Sequence, residues 1–226
     1  MSDMIYAGKM PVLALRGLAV FPEQTVHFDV GRVKSALALE EAMKGDQMLL
    51  LIPQKDIVDE DPGYSGLFAI GTVVKVKQIL KAQNDNIRVL VTGLRRAKIT
   101  EMLQTTPFLS AMVESVPEIQ AKDTLQSRAL RREANALYAA YSELIDHPPQ
   151  SVQLRLLASD DCGYIADSIA QNSGLDYRDK AKLLCQMNPV RRLESVIKLL
   201  KQEIEMLRLE SDIQERPRAI IDQEQK

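Results

Sequence analysis

Ile70-Gly71-Thr72-Val73-Val74-Lys75-Val76-Lys77-Gln78-Ile79-Leu80 has the alternation of a half-buried β-strand. Val74 and Val76 mark its dry face, and Lys75 and Lys77 mark the wet one, a period of two residues. Gln83-Asn84-Asp85-Asn86 follows as a turn cluster, and Ile87-Arg88-Val89-Leu90-Val91 returns, so residues 70–91 form a β-hairpin.

More strands flank the hairpin. Pro11-Val12-Leu13-Ala14-Leu15 is an apolar run that ends at Arg16-Gly17, and Thr25 to Val30 places Val26, Phe28 and Val30 on one face before Gly31 stops it. Residues 32–44 take helical spacing, with Val33, Ala36, Leu37 and Met43 on one side and Gly45 as the stop. Gln47 to Ile52 is a buried strand closed by Pro53, and Ala97–Leu103 and Leu109–Val116 supply two more. Residues 1–117 are therefore expected to form a strand-rich domain with one helix, built on a mostly antiparallel, curled sheet.

After Pro117 the period changes. From Lys122 to Ile145, Leu125, Leu130, Ala134, Leu137, Tyr138, Tyr141, Leu144 and Ile145 recur at helical spacing until Pro148-Pro149. Shorter helices follow through Val152 and Leu156, through Ile165 and Ile169 to Gly174, and from Asp176 through Ala181, Leu184 and Cys185. Asn188-Pro189 is a cap followed by proline at the first helical position. The longest helix is expected over 189–215, where Leu193, Ile197, Leu200, Ile204 and Leu207 form a heptad-like seam. It would span roughly 40 Å, with Pro217 as a kink or end. The fold class is thus α+β, with residues 118–226 as an α-helical subdomain.

Composition narrows the function. The 226 residues carry 29 Lys+Arg and 31 Asp+Glu, a net charge of −2. Residues 1–117 hold 13 of each sign, leaving 16 basic and 18 acidic in the remainder. A nucleic-acid binder needs a basic excess, so this balance argues against one. Cys162 and Cys185 are the only thiols, and His27 and His147 the only imidazoles, too few and too dispersed for a structural zinc site. No apolar run approaches the ~20 residues of a membrane span. Met1-Ser2-Asp3-Met4 does not begin a signal peptide, so a cytoplasmic protein is expected.

Motifs for phosphate cradling, G-x-S-x-G nucleophiles and H-E-x-x-H metal sites are absent from the sequence. No metal, cofactor or catalytic residue is expected in this chain. Asp56, Asp59, Glu60 and Asp61 lack the ligand pattern of a calcium loop and suit a solvated turn before Pro62-Gly63. Arg95, Arg96 and Lys98 read as a charged sheet edge that discourages aggregation, with phosphate contact as the other option. Arg191 and Arg192 open the long helix, where acidic neighbours are expected to pair with them.

Four segments carry a resemblance. They are Pro11-Val12-Leu13-Ala14-Leu15-Arg16 with Val20-Phe21-Pro22; Val30-Gly31-Arg32; Asp61-Pro62-Gly63 with Leu67-Phe68 and Gly71-Thr72-Val73; and Val91-Thr92-Gly93-Leu94-Arg95-Arg96-Ala97-Lys98-Ile99. In this order and spacing they resemble the N-terminal domain of the Lon family of ATP-dependent proteases. The helical half resembles that family's second subdomain.

The resemblance implies the substrate-recognition and assembly region of a serine protease that degrades misfolded and short-lived regulatory proteins, as part of quality control and the stress response. The implied partners are unfolded or degron-bearing polypeptides, with self-association in a full-length hexamer. ATP and Mg are implied only for the ATPase module, which this sequence lacks along with the Ser-Lys protease module. A fragment is therefore expected. A stand-alone Lon-domain adaptor and a small enzyme of other chemistry remain the alternatives. Phe21, Pro22, Met102, Leu103 and Phe108 are the candidate polypeptide contacts, because they lie at strand ends or loops.

Overall fold

The structure, a computed structural model, describes residues 6–81 and 87–224, with side chains over 6–80 and 87–213. The expected turn at Gln83–Asn86 lies outside the described residues. Two compact units emerge: residues 1–120 with 176–189, and residues 121–175 with 190–226. The expected division at residue 117 differs from this grouping at one element, since residues 176–189 join the strand-rich unit.

The first unit is built on six strands: β1 (Ala7–Leu15), β2 (Thr25–Val30), β3 (Met48–Pro53), β4 (Gly71–Lys81), β5 (Ile87–Gln104) and β6 (Leu109–Ser115). Their order is β2-β5-β4-β3-β1-β6, and β6 pairs again with β5, so five strands close into a hydrogen-bonded ring. Among the described residues only β1 and β3 pair in parallel, with Val12 facing Leu50 and Leu15 facing Pro53. Helix α1 (Val33–Lys44) connects β2 to β3.

Both faces of the sheet are apolar, which explains why β1 and β3 read as continuous apolar runs. Val12, Ala14, Leu50, Ile52 and Val73 join Ala97, Ile99, Ala111 and Val113 in one cluster. Their alternating neighbours Leu13, Leu15, Leu49, Leu51, Val74 and Val76 join Val89, Val91 and the α1 residues Leu39 and Ala42 in the other.

The sequence suggested two strands at 87–91 and 97–103, whereas β5 is one strand of 18 residues. Val73 pairs with Arg95 and Val74 with Gly93, so Leu94 is an extra residue. An inserted residue flips the faces that follow. Val89 and Val91 therefore face one cluster while Ala97 and Ile99, of the same parity, face the other. Further insertions at Thr100 and Leu103 fall where β5 pairs with β6. The bends that such bulges introduce let a single strand serve β2 at one end and β6 at the other.

Helix α5 (Tyr177–Cys185) belongs to this unit. Arg96 Nε donates to the Leu184 carbonyl at 2.9 Å, and the Tyr177 hydroxyl donates to the Lys55 carbonyl at 3.0 Å. Asp176 caps the helix by accepting from the Arg178 amide at 2.8 Å.

The second unit holds α2 (Leu125–Ser142), α3 (Gln150–Ala158), α4 (Cys162–Gln171) and α6 (Pro189–Glu224). A reciprocal Thr124–Ser127 box starts α2, and Asp161 caps α4. Tyr138, Tyr141, Val152, Leu156, Ile165 and Ile169 are buried, as are Leu193, Val196, Leu200 and Ile204 on α6. Arg192 and Asp167 form a buried ion pair at 2.8 Å, the acidic partner expected for this arginine. Helix α6 continues through Pro217 to Glu224, so the expected end at Glu215 is corrected.

Candidate functional site

Phe21 is buried completely. Its ring lies under the Arg96 guanidinium, 6.0 Å from centroid to Cζ. The backbone around it hydrogen-bonds β5: the Glu23 amide donates to the Gly93 carbonyl at 3.0 Å, and the Gly93 amide donates to the Gln24 carbonyl at 2.9 Å. A Cβ at Gly93 would overlap the Phe21 carbonyl oxygen. Thr72 Oγ1 donates to the Val20 carbonyl at 2.6 Å. The expectation that Phe21 contacts polypeptide is therefore corrected, because the ring is packed inside and has no surface to offer. Pro22 beside it is half-buried.

Arg96 is corrected too. It is 2% exposed, not a solvated edge residue. Besides Leu184 and Phe21 it meets Glu118, with Nη1 2.5 Å from Oε1. An arginine within a basic run gives no sign of such burial. The signal that could have exposed its role is its place beside Gly93, in a segment where close backbone approach leaves little room.

Met102, Leu103 and Phe108 all lie at the closed end of the β5–β6 hairpin, Met102 and Leu103 in β5 and Phe108 just before β6. Met102 packs in part on the cluster around Ile99. Leu103, the inserted residue, is 42% exposed. Phe108 is half-buried, and its carbonyl accepts from Gln104 Nε2 at 3.0 Å. Gly93, which anchors the Phe21 segment, lies ten residues earlier along β5, a path of about 30 Å at strand rise. The five candidates thus divide into two places.

A cleft that sequence reasoning missed lies beside the start of α1. Leu13, Leu15, Leu18, Phe28 and Val30 form its apolar wall, and a neighbouring depression adds Val12, Val33 and Leu109. Arg32 and Ser35 line both. Arg32 occupies the N-cap position and supplies no side-chain cap. Its guanidinium donates to Gln54 Oε1 at 2.5 Å, and Gln54 Nε2 donates to the Asp59 carbonyl at 3.0 Å. Burial, then Arg16 nearby, holds the Arg32 pKa below its usual value. The Asp56–Asp61 turn is solvated as expected, with Arg16–Glu60 at 3.2 Å and Lys34–Asp61 at 2.6 Å on the rim.

Burial pushes both thiols up, Cys162 and Cys185 alike. Raised thiols are poor nucleophiles. Among the described residues no group of three His, Cys, Asp or Glu side chains is placed to hold a metal ion. Among the same residues no helix is long and apolar enough to cross a membrane.

Residues 9–202 match the family model described as the ATP-dependent protease La (LON) substrate-binding domain. The Lon protease of Brevibacillus choshinensis is 37% identical over 218 residues, 96% of this chain and 28% of that protein. Lon protease 1 of Bacillus subtilis is 35% identical over 96% of the chain, and the Escherichia coli K12 Lon protease 33% over 96%, each at 28% of its own length. The chain therefore spans little more than a quarter of these relatives. The solved N-terminal domain of the Mycobacterium avium complex Lon protease aligns with a TM-score of 0.70 at 23% identity, covering 86% of this chain and 98% of that one. The Lon N-terminal domain protein from Xanthomonas campestris aligns at 0.56 and 16%, covering 84% and 98%. With residues 9–202 matched, a span that holds the Gly93–Phe21 packing and helices α1 to α5, the chain belongs to the Lon substrate-binding domain family.

Proposed function

We propose that this chain is the polypeptide-capturing region of a Lon-type ATP-dependent serine protease, and that it has no catalytic activity of its own. Family membership supports a substrate-binding role. The single observation that supports the place is the apolar group at the β5–β6 hairpin end, where Leu103 is exposed between half-buried Met102 and Phe108. Non-native polypeptides differ from folded ones mainly in exposed apolar segments, and a compact apolar patch recognises that difference. Pro22 is the remaining partly exposed candidate. ATP and Mg belong, in this reading, to a separate module that also carries the protease, with hexamer assembly and a cytoplasmic setting as in quality control.

The test is NMR shift perturbation with a permanently unfolded model protein. Shifts at Met102, Leu103 and Phe108 are expected, and Leu103→Asp should weaken binding. The first 117 residues balance 13 basic against 13 acidic side chains, so affinity should change little with salt. No response to several unfolded proteins at high concentration, or tight salt-sensitive DNA binding, would overturn the proposal. The chain alone should hydrolyse neither ATP nor protein, and turnover by pure folded material would also defeat it.

A further inference from the structure

We propose that the outer edge of β2 holds an extended segment of non-native polypeptide as an added strand, with the segment's apolar side chains in the cleft between β2 and the end of β1. This rests on the polypeptide-binding reading above and names the form in which the chain is held.

The first observation is the ladder. The Gly93 amide donates to the Gln24 carbonyl at 2.9 Å, and the register runs on unbroken from Thr25 opposite Thr92 to Val30 opposite Ile87. Bonded and non-bonded pairs alternate along an antiparallel ladder. Val26, Phe28 and Val30 therefore bond β5, and the amides and carbonyls of Thr25, His27 and Asp29 point away from it. Strand β2 ends the strand order, and no other described element lies along that side as a strand partner.

The second observation is that this edge is unguarded. Free edges are usually blunted by proline, a bulge, a covering element or charge. β2 contains no proline and no bulge against β5. Its one carboxylate, Asp29, is already paired with Arg88 at 2.8 Å.

The third is the cleft that borders the edge. Phe28, Asp29 and Val30 line one side, and Leu13 to Arg16 with Leu18 line the other. Beyond Val12, β1 has no partner on the side that β6 occupies earlier in the strand. Leu13, Leu15, Leu18, Phe28 and Val30 belong to the apolar cluster on which the inner face of β2 packs. A strand added to β2 continues that inner face, so every second side chain of the segment enters the cleft.

These features select the occupant. Three outward N–H groups and three carbonyls at strand spacing match an extended backbone. Folded proteins keep such groups paired internally, whereas a non-native chain brings them free. Main-chain bonds read no sequence, so one edge serves many polypeptides. Arg16 and Arg32 balance Asp29 and Glu60 in the cleft lining, which suits a neutral apolar segment. A second copy is the poorer occupant: six residues span about 20 Å, and an edge of that length buries far less than the roughly 1,200 Å² of a stable dimer.

The experiment measures amide exchange with water by NMR on the full chain, with the neutral peptide acetyl-Ser-Val-Thr-Val-Thr-Leu-Ser-amide as probe. At saturation the Thr25, His27 and Asp29 amides should slow by about tenfold or more, while Val26, Phe28 and Val30, already bonded, change little. His27→Pro keeps the β2–β5 bonds, because that N–H points outward, and should weaken the peptide by about tenfold or more. Retained cross-strand contacts between Val26 and Val91 would show that β2 stays in place. The same peptide N-methylated throughout keeps its side chains and loses its donors, so it should bind wild type at least about tenfold more weakly. That comparison needs no protein variant.

Unchanged exchange at Thr25, His27 and Asp29 under saturating peptide overturns the proposal. So does equal binding of the N-methylated peptide, or full binding by a folded His27→Pro protein. Protection of the three amides that rises with protein concentration and needs no peptide assigns the edge to a second copy and overturns it too. Unfolded protein that shifts Met102 to Phe108 while the three β2 amides keep exchanging sinks only this subsite. Silence at both places with both probes sinks the broader reading as well.

Discussion

Gly93 is where close packing constrains one residue most sharply. Its Cα presses against the Phe21–Pro22 backbone, and a Cβ would overlap the Phe21 carbonyl oxygen. The obstacle is main chain held by two hydrogen bonds to the same glycine, so it cannot swing aside as a side chain would. Gly93→Ala should therefore destabilise by more than about 2 kcal/mol in urea denaturation. A loss below about 0.5 kcal/mol would show that the Phe21 segment shifts freely.

Tyr138 presents the opposite case. Its hydroxyl is buried without a hydrogen-bond partner, and burial, helped by Tyr141, pushes its pKa from 10.0 up to about 12. The folded state then keeps a proton that the unfolded state loses above its ordinary pKa. The associated stability is complete below about pH 10 and declines as pH rises through about 12. Tyr138→Phe should remove that part of the alkaline decline, and at pH 7 it should be near neutral because no bond is lost. Parallel pH–stability curves for the two proteins above pH 10 would contradict the assignment.

At the scale of elements, α6 changes role along its length. Leu193, Ile197, Leu200 and Ile204 are at most 5% exposed, Leu207 is half-buried, and Met206, Leu209 and Ile213 are exposed. The seam continues in sequence beyond the side chains that cover it. Leu200→Ala should cost about 2–5 kcal/mol, because a void is left in a filled core. Leu207→Ala should cost under about 1 kcal/mol. Equal, large losses in thermal or denaturant unfolding would contradict this division. Strand β5 shows the limit of local reading. Period two identifies both of its ends, but the bulge at Leu94 reverses which parity is buried, and the basic run of Arg95 and Arg96 reads as a charged sheet edge although Arg96 is inside. Pro217 reads as a kink or an end because a proline removes one helix bond. The helix nevertheless continues to Glu224, a cost of about 3 kcal/mol that the surrounding turns tolerate.

For the whole molecule, the strand-rich unit is discontinuous: residues 1–120 need α5 from residues 176–189. Residues 117–124 are exposed and outside helix and strand, so protease should cut there first. A chain ending after Gln120 should then melt below the full protein, with faster amide exchange along β4 and β5, since Arg96 loses the Leu184 carbonyl. Adding residues 176–189 through a flexible linker should restore protection. Unchanged exchange in the shortened chain would show that α5 contributes little. What the sequence by itself determined was local: the β4 alternation, the apolar β1 and β3, the capped helices, the α6 seam, and the motif spacing that pointed to the Lon family. These follow from neighbours within a few residues, where side-chain period and capping chemistry act. Tertiary structure alone decided that the strands close through β5 and β6, that Phe21 and Arg96 are inside, that α5 leaves its helical neighbours, and that Arg32 and Ser35 share a cleft. Each of these depends on which distant backbone occupies the adjacent space, and one-dimensional periodicity carries no record of that.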